Sequence, residues 1–210
     1  MNIANLFARF LKTRLRSNKP PHSPLKKTRH RLFFALCPEA STREELVAAL
    51  ALFPRQLSND WVAPANLHIS LAVLGGVELE WLDDLKAAAD AVQAVDFELS
   101  LDRITYWPHK QALCLTPSVV PPALKRLAAD LAGHLDAVGF DMGTRPYRPY
   151  LTLARRSTYP SPEIRLPHPI AWHVTSFALL KSRPEGLGTA HDLLQSWPLL
   201  QPPEAAPEEE

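Results

Sequence analysis

Two short stretches of this chain carry side chains that can move protons and hold a negative charge. The first is Asn66-Leu67-His68-Ile69-Ser70-Leu71-Ala72-Val73-Leu74. It is apolar, rich in branched side chains and followed by Gly75-Gly76, which predicts a buried strand that stops at the glycines. Strand side chains alternate between faces, so Leu67, Ile69, Leu71 and Val73 should pack on one face and His68, Ser70 and Ala72 should share the other. The second stretch is Tyr150-Leu151-Thr152-Leu153-Ala154-Arg155, where Tyr150, Thr152 and Ala154 share a face and Leu151 and Leu153 the other. Both faces read ring, hydroxyl, small residue, with a phenol in the second where the first has an imidazole. An imidazole changes charge near neutral pH, and hydroxyls on the same face can donate to an oxyanion. A face that only needed packing would carry aliphatics, so these two read as the floor of a cleft.

The elements around them predict how the two stretches meet. Arg31 to Leu36 reads as a first strand, followed by a helix that Pro38-Glu39 opens and Pro54 closes. The His68 strand comes next, then a helix over residues 79–94 with Trp81, Leu82, Leu85, Ala88 and Ala89 on its packed side. Phe97 to Tyr106 and Ala112 to Thr116 read as strands, and residues 121–138 as a third helix that Pro121-Pro122 opens. The Tyr150 strand follows, then a proline-rich loop over 157–169 and final strands from Trp172 to Lys181 and from His191 to Trp197. This β-α-β-α-β-β-α-β-β-β order gives each half of the chain one strand of the ring-hydroxyl kind. The expected fold is α+β, two-lobed and pseudo-duplicated, with a central cleft between two antiparallel sheets flanked by helices.

The chain of 210 residues holds one domain of about 150–180 residues plus tails. A net charge of +1 hides a basic start and an acidic end. Residues 1–30 contain eight Lys or Arg and no acid, and the last ten contain four Glu and no base. Between them, residues 31–200 carry 15 basic and 18 acidic side chains, so a globally basic protein that coats nucleic acid is not indicated and any nucleic-acid site must be local. Residues 2–16 have the spacing of a basic amphipathic helix, and residues 1–29 read as an extension ending in a Pro-rich linker. Residues 30–197 form the expected domain, and 198–210 a disordered acidic tail. Cys37 and Cys114 lie in apolar runs and read as buried free thiols, with no metal spacing. No apolar run reaches the length of a membrane span and no secretory signal is visible. The expectation is a cytoplasmic monomer without a metal or other cofactor.

The motif context resembles a known family. Asn66-Leu67-His68-Ile69-Ser70-Leu71 with Leu74-Gly75 resembles the first H-x-[ST] motif of the two-histidine (2H) phosphoesterases, in the branch of RNA 2′,3′-cyclic phosphodiesterases, also called 2′-5′ RNA ligases. Arg31 to Leu36, Trp61-Val62, and Arg145-Pro146 with Pro149, Thr152-Leu153 and Arg155 are similar to that family too, so the resemblance spans residues 30–197. The family's second motif is again H-x-T, but here its frame reads Pro149-Tyr150-Leu151-Thr152. A different H-x-T, His173-Val174-Thr175, lacks the Arg-Pro frame and matches a later family strand.

The resemblance implies metal-free opening of a 2′,3′-cyclic phosphate on RNA ends or nucleosides. One group takes a proton from water, another protonates the departing ribose oxygen, and donors hold the phosphoryl oxygens. It implies His68 as the acid, Tyr150 in the acceptor's place, Ser70 and Thr152 as phosphate donors, and Arg155 offsetting phosphate charge. Tyr147 is a candidate to stack on a base. A phenol of ordinary pKa, about 10, donates well and accepts poorly at neutral pH. Three outcomes are open: His68 is the base and Tyr150 the donor, His109 or His173 supplies a base, or the protein binds cyclic-phosphate or 2′-5′-linked RNA with little turnover.

Overall fold

A computed structural model describes residues 28–51, 60–157, 163–186 and 188–201. The expected N-terminal helix and most of the acidic tail lie outside these residues. In chain order the elements are β1 (Arg29–Leu36), α1 (Ala40–Ala51), β2 (Asp60–Trp61), β3 (Ile69–Glu78), α2 (Leu82–Asp90), β4 (Phe97–Trp107), β5 (Ala112–Thr116), α3 (Pro122–Ala137), β6 (Leu151–Arg155), β7 (Ile164–Val174), β8 (Ser176–Glu185) and β9 (Gly188–Pro198). The strands run β7-β4-β5-β6-β3-β1-β8-β9, with the short β2 added to β6, and every pairing between them is antiparallel. No helix among the described residues is long and apolar enough to cross a membrane.

The α+β class and the two halves are as expected. The two expected sheets, however, are one continuous sheet, joined where Ile69 of β3 pairs with Leu151 of β6. Both residues are fully buried, and two apolar strands brought side by side satisfy each other's backbone edges. The helices cover one face. There α2 packs on α3, α3 on β3 and α1 on β7, over a core that includes Leu32, Phe34, Leu36, Ile69, Leu127, Leu151 and Trp172. On β1 the alternate residues Phe33 and Ala35 leave this core and join Leu180 of β8 in a separate cluster on the other face.

Four local expectations change. First, β3 does not stop at Gly75-Gly76 but runs on to Glu78. Its pairing with β1 steps from Gly75 to Val73 and from Ala72 to Ser70, so Leu74 and Leu71 are extra residues in two β-bulges. Gly75 takes a left-handed φ of 76°, which suits a bulge and costs a glycine little. The bulge at Leu71 reverses the alternation: Leu71 and Ala72 are both buried, and Val73, expected in the core, is 61% exposed.

Second, the proline-rich loop expected over 157–169 contains the first half of β7, including Pro167 and Pro169. β7 is an edge of the sheet, where a missing backbone N–H breaks no ladder on the outer side. Third, the single strand expected from Trp172 to Lys181 is two strands, divided at Thr175, and they belong to opposite halves of the sheet. Fourth, the folded body continues past residue 197. Leu199 is buried, its N–H bonds to the Thr175 carbonyl, and the Leu200 N–H bonds to the Ala94 carbonyl.

The joint between the halves is the most demanding packing point. Ile69→Ala or Leu151→Ala should each cost about 2–5 kcal/mol. Urea unfolding should remain one transition, and independent unfolding of two halves would show as two.

Candidate active site

The two halves meet over an open cavity of about 760 Å³ on the face of the sheet that the helices leave uncovered. One wall comes from the β3-β1-β8-β9 half and includes His68, Ser70, Val73, Phe33, Arg31, Ser182 and His191. The other includes Tyr150, Arg155, Arg156 and Lys110, with Asp60 and Trp61 of β2. Continuing the antiparallel register from the Ile69–Leu151 pair sets Ser70 opposite Tyr150 and His68 opposite Thr152. Four cationic side chains against the single carboxylate of Asp60 make this a place for an anion.

His68 lies one residue before β3. Its Nδ1 is 2.7 Å from the backbone oxygen of Asn66. A carbonyl oxygen can only accept, so Nδ1 carries the hydrogen and Nε2 keeps its lone pair. Burial lowers the His68 pKa to about 4, the Asn66 bond works against that, and nearby His191 and Arg155 lower it further. At neutral pH His68 is therefore a neutral imidazole poised to accept a proton at Nε2.

His191 belongs to neither motif. It stands on β9 opposite Ser182 of β8. Its ring meets the His68 ring at 5.1 Å between centroids and 90° between planes. Both rings rest on buried Phe33, each with centroids 5.0 Å from it. The His191 Nδ1 is buried and makes no hydrogen bond of good geometry. Burial and then Arg155 lower its pKa, while the Ala190 backbone and Asp192 favour the charged ring. Asn66 ties the two histidines together. Its Nδ2 donates to the Thr189 carbonyl at 2.6 Å, two residues before His191, while the backbone carbonyl of Asn66 holds His68. No local motif marks His191. It reaches His68 only through the lateral order of β9 on β8 on β1 on β3.

Tyr150 faces this pair from the other wall. Its ring packs against Trp107 at 4.5 Å, and Lys110 Nζ donates to its hydroxyl at 2.7 Å. With Lys110 donating, the phenol's own hydrogen is free to point elsewhere. Arg155 enters the same cleft because the β5–β6 pairing steps from Ala154 to Thr152, leaving Leu153 as an extra residue that reverses the alternation beyond it.

Of the expected phosphate donors, Ser70 and Arg155 line the cavity and Thr152 does not. Thr152 is half-buried, paired across the ladder with Cys114, and its hydroxyl hydrogen-bonds the Cys114 thiol. Burial dominates at that thiol and pushes its pKa up to about 11, so Cys114 stays protonated. Tyr147 is not offered for stacking on a base. It packs against the main core, and its hydroxyl donates to the Ser70 carbonyl at 3.1 Å, bracing the strand that carries Ser70. The other histidines considered as substitutes are elsewhere. His173, on the edge strand β7, is held by Glu98 at 2.6 Å and Asp96 at 3.3 Å, and His109 is exposed on the turn after β4. Neither lines the cavity. Among the described residues no three His, Cys, Asp or Glu side chains come together as metal ligands.

Comparison with known proteins gives the family and the fold. The family model of the 2′-5′ RNA ligase superfamily matches residues 38–185. The chain belongs to the 2′-5′ RNA ligase superfamily. It is 31% identical over 175 residues to the RNA 2′,3′-cyclic phosphodiesterase of Escherichia coli strain K12, covering 81% of this chain and 97% of that protein. The protein of the same name from Thermus thermophilus is 27% identical over 186 residues, covering 80% of this chain and 90% of that one. Among solved structures, E. coli LigT in apo form superposes with a TM-score of 0.76 at 30% identity, covering 83% of this chain and 99% of LigT. LigT complexed with 3′-AMP gives 0.75 at 30% identity, covering 82% and 99%. In this chain the cleft holds His68 and Ser70 on one wall with His191 beside them, and Tyr150 faces them from the other.

The depressed His68 pKa has a consequence for stability. Between about pH 6.5 and 4 the unfolded chain takes up a proton that the folded ring refuses. The native state is therefore most favoured above pH 6.5 and loses up to about 3 kcal/mol as the pH falls to 4. His68→Gln should remove this part of the pH dependence, measured as the difference between the two proteins in urea unfolding across that range.

Proposed function

We propose that this protein hydrolyses RNA 2′,3′-cyclic phosphate ends to 2′-phosphates by acid–base catalysis without a metal. The observation that carries the reading is a neutral imidazole with a free Nε2 facing a lysine-held phenol across a cationic cleft. His68 takes the proton from the attacking water. The water oxygen bonds to phosphorus, the bond from phosphorus to the ribose 3′ oxygen breaks, and Tyr150 gives its proton to that oxygen. Lys110 offsets the charge left on the phenol oxygen, and Ser70 and Arg155 hold the phosphoryl oxygens. The family resemblance implies His68 as acid and its partner as acceptor. The Nδ1 hydrogen bond and the lowered pKa support the reverse order. The curated relatives named RNA 2′,3′-cyclic phosphodiesterase support the substrate class.

A second reading is a module that binds RNA ends, or 2′-5′-linked RNA, with little turnover. Tyr150 in the second motif favours it, since a phenol accepts a proton poorly.

Turnover of a nucleoside 2′,3′-cyclic phosphate decides between them. We expect hydrolysis that EDTA does not abolish. His68→Ala should lower the rate by about 10²–10⁴, the range of one acid–base group. Tyr150→Phe, which removes only the oxygen, should also lower it. Binding of the intact cyclic nucleotide with no product from the wild type would favour the binding module.

A further inference from the structure

We propose that His191 is a second imidazole of the catalytic cleft: beside His68 it contacts the phosphoryl group and, as imidazolium, donates to a non-bridging oxygen. The inference rests on the hydrolase reading above and assigns a residue that neither motif contains.

The geometry supports it in three ways. His191 lines the same cavity as His68, Ser70 and Arg155. Its ring touches the His68 ring edge-on, with centroids 5.1 Å apart, so both address one ligand from one wall. Its Nδ1 is buried against the Ala190 backbone, as the Nδ1 of His68 is held by Asn66, so Nε2 is the nitrogen each ring has left for a ligand.

The electrostatics then divide the work between the rings. Two imidazoles in contact cannot both be charged at low cost. The titratable and charged groups facing His191 are His68 from the start of β3, Arg155 from β6 and Asp192 beside it on β9, with Arg183 of β8 bonded to Asp192 at 2.8 Å. Arg31 and Lys110 share the cavity. This surrounding is net positive, so both rings are neutral when the cleft holds only water. A bound cyclic phosphate monoanion reverses the balance for one proton. His68 must stay neutral to accept from water, and the Arg183-held Asp192 lies next to His191. The proton therefore goes to His191, which becomes an oxyanion donor without opposing the in-line roles of His68 and Tyr150.

Two measurements test this. In the first, rate is followed against pH for wild type and His191→Gln with a nucleoside 2′,3′-cyclic phosphate. Wild type should show a bell, its acid limb from His68 and its basic limb from loss of the His191 proton. His191→Gln should be slower by about 10²-fold, as for one lost oxyanion donor, and should lose the basic limb near neutrality. In the second, the imidazole resonances of the wild-type protein are titrated by NMR with and without inorganic phosphate, which needs no variant to fold. Phosphate should raise the pKa of His191 more than that of His68. Turnover indifferent to His191→Gln, or a phosphate response confined to His68, overturns the inference and leaves the hydrolase reading standing. A wild type with no turnover overturns the hydrolase reading and this inference with it.

Discussion

The pairing of Ile69 with Leu151 is the constraint on which the cleft depends. It joins β3 to β6, and with them the two half-sheets, and it lies one residue from His68 and one from Tyr150. Because strand neighbours are about 4.8 Å apart, this pair fixes how far the wall bearing His68 stands from the wall bearing Tyr150. Neither residue has polar atoms in its side chain, and both are fully buried. The site is thus placed by the core. Tyr147 adds a brace from the loop that leads into β6, bonding to the carbonyl of Ser70.

Within that frame, irregularities of the ladder aim the side chains. The bulge at Leu71 turns Val73 out of the core, and the bulge at Leu153 turns Arg155 into the cleft. A regular β6 would have put Arg155 on the face of Leu151 and Leu153, away from Tyr150. Bulges near functional sites commonly re-aim a side chain in this way.

The electrostatic character of the cleft follows from placing two imidazoles over Phe33 with cations around them. Burial and neighbouring positive charge both favour the neutral rings. A bound anion would favour the charged form of a ring here, which links ligand charge to ring protonation. On the facing wall the Lys110–Tyr150 hydrogen bond gives a phenol the cationic neighbour that a proton donor can use.

Much of this is legible in the chain. Apolar runs and spacing mark β1, β3 to β6 and α2, because these are set by local backbone geometry, and prolines mark the ends of α1 and the start of α3. His68, Ser70, Tyr150 and Arg155 stand out from their motif frames, and the tyrosine in the second frame is read directly from the residues. The prolines of β7 hide a strand, since only its position at the sheet edge makes them tolerable. Thr152 and Tyr147 lie in the right stretch, but alternation cannot say what sits across the ladder from one or beneath the other. His191 is beyond local reasoning altogether. It is 123 positions from His68, with no hydroxyl two residues on and no frame around it. Residue types, the strands that carry them and the phenol in the second motif are thus written in the chain, because each is a property of one segment. The place of β9, set beyond β8 and β1 from β3 and bringing a further imidazole to the cleft, belongs to the folded molecule. Lateral strand order is settled by packing over the whole domain and leaves no mark in any one segment.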